Sequence, residues 1–325
     1  MKKKVCFVVP YFGKMPNFFD LFLKSCKKNE DFTWLIFTDD EFEYNYPQNV
    51  KKISMSFEEC QILIKSKFDF NVSIDFPKKL CDYKPAYGYI FSEYLRGYDF
   101  WGYCDLDVIF GDLGHFITDQ ILDSYDRLFP LGHLSLYRNN DRMIKIFMEK
   151  INNKSSYKEV YTNPNMCSFD EWTDYSINSI LSYNNINIYC KEIIADIGPY
   201  NSSFVLSHFD MSTKRWFRDE VKNSLFKWNN GKIIRIWIED KKIKSKEYLY
   251  IHLQKRNMIN LVSDLKCECF YIVPNKFIEL EKSQELFNLK KYKFKYILDY
   301  KQLRKKRMIF IENTKLYIKN KLNLK

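Results

Sequence analysis

The sequence predicts an α/β protein with a mixed, mostly parallel central sheet flanked by helices. Strand-like and helix-like segments alternate from the first residues onward. Apolar runs of strand length end in turn formers or acids, and in FWGYCDLDVIFGDL, residues 100–113, two carboxylates stand one residue apart where such a run stops. Alternation of this kind joins parallel strands through helical crossovers.

Taken in order, residues 5–9 are a β-branched and aromatic run that predicts a first strand. Residues 17–28 put Phe18, Leu21, Phe22 and Ser25 on one side of a helix, and 33–38 predict a second strand ending at Asp39 and Asp40. Ser56 and Glu59 have capping-box spacing for a helix to about residue 68, and Pro85 opens another helical stretch leading to a strand at 98–104. Beyond it, a strand is expected at 134–137, helices at 141–150 and 171–183, and a last strand at 247–253. Trp228 and Ile233 flank Asn229, Asn230 and Gly231, a hairpin signal.

The chain has 325 residues, 46% hydrophobic and 18% aromatic, enough for a large core. No run of 18 apolar residues is present to span a bilayer. The basic start MKKKVCFVVPYFGK is not read as a signal peptide, because its short apolar run contains Pro10 and lacks a small-residue cleavage site. Nine cysteines without CxxC pairs imply neither a zinc site nor a disulfide framework, which fits a reducing cytoplasm.

Charge divides the chain. Residues 290–325 hold thirteen Lys and Arg against two Asp and Glu, so this stretch alone accounts for the net +11. We therefore expect a main domain at 1–275 and a basic amphipathic helical extension at 276–325, with Tyr296, Tyr300, Leu303, Phe310 and Ile318 near helical spacing. Such a tail either lies on an anionic membrane surface or is a solvated helical face. The neutral remainder has no recognisable nucleic-acid module, so nucleic acid is not expected as a partner.

Side chains two apart on a strand point the same way, so Asp105 and Asp107 converge at the end of theirs. Gly111, Asp112 and Gly114 follow as turn formers, which puts the pair at the rim of the sheet. Two carboxylates there can hold a hard divalent cation such as Mn²⁺ or Mg²⁺, or simply cap a loop. Two enzyme classes carry D-x-D at such a rim. Haloacid-dehalogenase-like phosphatases use DxDx[TV], but Ile109 stands where Thr or Val is required and no later glycine-flanked acidic motif follows. GT-A glycosyltransferases use the pair to hold the metal on a nucleotide sugar's diphosphate.

The order VCFVVPYFG, FTDD, CDYKPAYG, YCDLDVIFGD, SFDEW and IHLQKR, over about residues 3–258, resembles the GT-A (Rossmann-like) glycosyltransferases. Within them it is similar to uncharacterised bacterial transferases associated with surface-polysaccharide synthesis, of capsule or lipopolysaccharide. The resemblance implies a metal-dependent transferase with a UDP-sugar donor and Mn²⁺ or Mg²⁺. It further implies a growing surface glycan or lipid-linked oligosaccharide as acceptor, at the cytoplasmic face of the membrane.

By that resemblance Pro10, Tyr11 and Phe12, with Asp39 and Asp40, hold the nucleoside; a strand-end turn is the plainer reading. Lys84 contacts phosphate, or is a solvated surface lysine. Asp107 ligates the metal directly, and Asp105 reaches the metal, a bound water or the ribose. His252, otherwise a satisfied core histidine, completes the metal shell, and Lys255 with Arg256 meets the leaving diphosphate. Asp170 and Glu171 take the place of the acidic base; Ser168 and Glu171 as a capping box, with Asp170 as an N-cap, explain the same acids without catalysis. Trp172, Trp216 and Trp237 are candidate sugar-stacking surfaces. A non-catalytic nucleotide-sugar or membrane-binding protein of the same fold is the alternative from another class.

Overall fold

The computed structural model describes residues 2–279 except 172, 192, 199–203, 211–212, 214, 221–223 and 255. The expected tail at 290–325, Lys255 and Trp172 therefore lie outside the described residues, as does the side chain of Trp216.

In chain order the first strands are β1 (Val5–Pro10), β2 (Phe32–Thr38), β3 (Val50–Ser54), β4 (Phe100–Cys104), β5 (Val108–Phe110), β6 (Arg127–Leu131), β7 (Leu134–Arg138) and β8 (Ile188–Tyr189). They are followed by β9 (Ile194–Ile197), β10 (Val205–Asp210), β11 (Arg215–Glu220), β12 (Ser224–Asn229) and β13 (Lys232–Glu239). The last are β14 (Lys242–Tyr248), β15 (Tyr250–His252), β16 (Ile259–Asn260), β17 (Cys269–Val273) and β18 (Lys276–Ile278). A seven-stranded sheet runs β3-β2-β1-β4-β7-β6-β8, a five-stranded one β11-β10-β9-β15-β5 and a six-stranded one β14-β13-β12-β17-β18-β16. Strand pairing thus continues past the boundary expected at residue 275.

The seven-stranded sheet is the mixed, mostly parallel sheet that the alternation predicts. Strands β3, β2, β1 and β4 pair in parallel, while β7 is antiparallel to both its neighbours. Strand side chains alternate, so Cys6 and Val8 enter one hydrophobic cluster while Val5, Phe7 and Val9 enter another on the opposite face. Helix α1 (Phe19–Lys27) covers the second face with Phe19, Phe22, Leu23 and Cys26. Helix α2 (Phe57–Ser66) begins at the Ser56–Glu59 capping box read from the sequence and lays Cys60 and Ile64 on the first face.

Because β1, β2 and β4 are parallel, their carboxyl ends share one rim, where Asp39, Asp40 and Asp105 emerge. The chain then leaves the first sheet: β5 joins the second, antiparallel to β15. Ser25 and Asn29 at the α1 end pin it, accepting from Phe110 N at 3.1 Å and donating to Gly111 O at 2.9 Å.

Three local expectations are corrected. The strand expected at 247–253 is two strands, because β14 belongs to the third sheet and β15 to the second. The crossing at Leu249 runs against Gly111, where a Cβ would sit 2.5 Å from Tyr248 O, so only glycine admits the approach. The helix expected from Glu171 starts at Ile177 with Ser176 before it, so neither Asp170 nor Glu171 caps it. The helix expected at 141–150 stops at Lys145 and continues as a 3₁₀ turn, Ile146–Met148. The hairpin expected at 229–231 is present: Asn229 pairs with Lys232, and Asn230 and Gly231 adopt φ of 46° and 87°. No helix among the described residues is long and apolar enough to cross a membrane.

Candidate metal and acid site

Strand β4 is buried along its whole length and delivers Asp105 at the rim, where its N–H donates to His133 O at 3.0 Å. The strand-end geometry then turns Asp107 toward β15. Antiparallel pairing sets Val108 opposite His252, and Leu253 N–H donates to Asp107 O at 2.8 Å. His252 Nε2 lies 3.3 Å from Asp107 Oδ1, and one ligand atom each from Asp105, Asp107 and His252 lie within 4.8 Å of one another. Two residues of one short motif and a third from a distant strand thus converge.

His252 is held from behind. Parallel pairing of β9 and β15 puts Asp196 beside it, and Asp196 Oδ1 lies 2.8 Å from His252 Nδ1 and 2.5 Å from Gln254 Nε2. The ring of His133 stacks on His252 with centroids 4.0 Å apart and planes 21° apart, and Tyr250 Oη lies 2.8 Å from His133 Nδ1. Stacked imidazoles have their lone pairs in nearly parallel planes, so His133 cannot share an ion with His252 in this arrangement. The His133, Asp196 and His252 group is a support for the site.

Electrostatics follow from this packing. Burial alone would lower the His252 pKa, yet the carboxylates of Asp107 and Asp196 override it and lift it to about 10. Burial, then the neighbouring His252 charge, pushes His133 down to about 3, so it stays neutral. Burial would raise Asp196, but its hydrogen bond and charge interaction with His252 bring it below the usual carboxylate range.

The residues fit a divalent cation. Oxygen and imidazole donors converge, and a carboxylate on Nδ1 leaves Nε2 as the outward donor, the arrangement that orients metal-binding histidines. Asp196→Asn is expected to weaken Mn²⁺ binding roughly 10–100-fold, measured by titration calorimetry. A cation held by Nε2 would require a neutral His252, so its binding would release that proton. Below a pKa of about 10, affinity therefore rises with pH, by at most about tenfold per pH unit.

Beside this centre lies an acidic pair. Lys84, buried in the turn Lys84–Ala86, places its ammonium on Asp105 Oδ1 at 2.6 Å, Gly132 O at 2.8 Å and Asp170 Oδ2 at 3.2 Å. Asp105, without a cation among its sequence neighbours, finds one 21 residues away. A Cβ on Gly132 would meet Glu171 Oε1 at 2.6 Å and Asp170 Oδ2 at 2.8 Å, so glycine leaves the space both carboxyls occupy. Burial raises both acids above the ordinary carboxylate range; Lys84 opposes this for Asp170, while Asp170 adds to it for Glu171. Burial would lower Lys84, but Asp105 and Asp170 hold it well above the usual lysine value.

Other expected site residues take different positions. Asp39 Oδ1 accepts from Gly13 N at 2.7 Å, and Asp40 accepts from Met15 N at 2.8 Å and Phe42 N at 2.9 Å, so both shape the loop after β1. Pro10 ends β1, and Phe12 packs on Phe57 with ring centroids 5.4 Å apart. Tyr11 lies by the centre: burial, then the charges of Asp107 and Asp40, raise its phenol above the ordinary value. Lys84 is not the solvated surface lysine of the plainer reading, and its ammonium is already engaged. Arg256 is buried against Gly198 O, with Nη2 at 2.6 Å and Nε at 2.9 Å, and thus serves the fold at this point. Trp237 is half-buried and stacks against Arg235.

Sequence reasoning missed Asp196, His133 and Gly132. A lone acid inside the apolar strand IADI was the available signal for Asp196.

Fold and site together define an α/β protein with a carboxylate–imidazole cluster at a sheet rim that could hold a cation, and an acidic pair beside it. Residues 7–281 match a family of unknown function, DUF6625, and the chain belongs to that family. No curated protein matches the sequence. Among solved structures it is similar to the galactosyltransferase LgtC in complex with donor and acceptor sugar analogues, at 13% identity, covering 59% of this chain and 75% of that one with a TM-score of 0.34. An active-site mutant of LgtC matches at 12% identity with the same coverage and TM-score.

Proposed function

We propose that the protein is a metal-dependent glycosyltransferase of GT-A type that moves a sugar from a nucleotide diphosphate donor, a UDP-sugar, to a surface glycan or lipid-linked oligosaccharide. The observation that carries this reading is the convergence of Asp105, Asp107 and His252 on one rim with Asp170 and Glu171 across Lys84. In this reading Asp107 and His252, with Asp105, hold the cation. A cation held there would supply positive charge against the negative charge of a departing diphosphate.

Asp170 is bound to Lys84, whereas Glu171 is the more exposed acid. We assign Glu171 to the acceptor side, where it takes the proton of the attacking hydroxyl, and Asp170 to the Lys84 bridge. Tyr11 and the loop that Asp39 and Asp40 shape provide the nucleoside end.

A thermal-shift panel of nucleotides and nucleotide sugars, with and without Mn²⁺, tests the reading without a known acceptor. Stabilisation by UDP that requires the metal supports it. If no nucleotide shifts the folded protein under any metal condition, the nucleotide-sugar reading fails.

The charge concentrated in 290–325 supports a place on the inner face of the membrane. Full-length chain is expected to float with anionic vesicles, and a chain ending at Leu289 to stay behind. Equal flotation of the two would remove the tail from this role.

A further inference from the structure

The segment 163–169, just before the acidic pair, belongs to no helix or strand, and Ser168 within it has a φ of 54°. Local bonds hold it in part: Asn165 N–H donates to Asn163 Oδ1 at 2.9 Å, Glu171 N–H to Ser168 O at 3.1 Å and Ile177 N–H to Phe169 O at 2.9 Å. It is also tied to a fully buried ion pair, Lys79 with Asp82, whose Nζ and Oδ2 lie 2.9 Å apart. Lys79 also donates to Val160 O at 3.1 Å and to Asn165 O at 2.6 Å. Asp82 accepts from Cys167 N at 2.9 Å and from Phe169 N at 3.1 Å.

Two residues after Asp82, Lys84 binds Asp170 from the other side and Asp105 with it. Residues 79–84 therefore grip both the segment 160–170 and the cation-binding half of the site. A buried ion pair is a poor source of stability, since apolar residues of similar volume commonly do as well. Its use here is geometric: both charges are consumed in fixing backbone groups of the acid segment.

We propose that Lys79 and Asp82 are positioning residues that set the acidic pair against the cation centre. This rests on the glycosyltransferase reading for its kinetic consequence, although the tether itself does not. Lys79→Met combined with Asp82→Asn removes both charges, so no buried charge is left alone, while the introduced amide keeps one acceptor oxygen. Lys79→Gln combined with Asp82→Asn, which also leaves no buried charge alone and keeps one donor and one acceptor, is the second variant, should the first fail to fold.

The expected result is a folded protein with Mn²⁺ and UDP affinities within about twofold of wild type, because the groups assigned to those ligands are untouched. Amide exchange at Cys167 and Phe169 is expected to quicken at least about tenfold. Release of UDP from the donor, by transfer or hydrolysis, is expected to fall at least about tenfold in kcat at unchanged KM.

Unchanged kcat despite faster exchange would overturn the positioning role, as would unchanged exchange. Parallel loss of Mn²⁺ and UDP affinity would also overturn it, in favour of a general structural role. Should wild type bind no nucleotide and release no UDP, the function reading fails. The exchange measurement then decides the tether alone: faster amides uphold it and unchanged amides remove it.

Discussion

Asp107→Ala is expected to lose the metal-dependent thermal shift by UDP-sugar and to show no measurable turnover. A ligand at a hundred times its Kd stabilises the folded state by about 2.7 kcal/mol, which for a chain of this size is roughly 4 °C in Tm. That shift should vanish in the variant. Asp107 faces His252 at 3.3 Å and its main chain is paired to Leu253, so the substitution removes the carboxylate proposed to hold the cation without removing the strand contact. Asp107→Asn keeps the shape, and should behave the same way if charge on the cation is what matters. A full nucleotide shift in both variants would take Asp107 out of the centre.

Glu171→Gln is expected to lower kcat by roughly 10²–10⁴, the usual contribution of a general base, while leaving Mn²⁺ and donor binding intact. Gln preserves volume beside Gly132 and removes only the ionisable group. The pH profile provides the sign. A base acts when ionised, and burial raises the Glu171 pKa, so activity should fall as pH drops through a limb lying above the ordinary carboxylate range. The variant should lack that limb. If the limb persists in Glu171→Gln, another group is the base, and Asp170→Asn becomes the next variant to test.

Much of the scaffold is legible because its signals are local. The Ser56–Glu59 box, the one-sided apolar spacing of α1 and the Asn230–Gly231 turn each need only a few residues to act, and each is found. The helix expected from Glu171 misleads for the opposite reason. Asp and Ser in 168–171 have capping chemistry, but a tertiary partner, Lys84, takes Asp170, and helix waits until Ile177. The strand expected at 247–253 looks continuous in pattern because alternation does not encode which sheet each half joins.

By itself the sequence determined the α/β alternation and the place of Asp105 and Asp107 at the end of a strand, since strand period and strand ends are properties of short stretches, while His252 became a candidate only through the family resemblance. Only the tertiary structure decided what each of them touches. Asp196 reaches His252 through parallel pairing of strands 56 residues apart, Lys84 reaches Asp105 and Asp170 at once, and Asp82, paired with Lys79, holds a segment some 85 residues further on. Such contacts depend on register and crossover between distant elements, and single-residue shifts in either would exchange the partners.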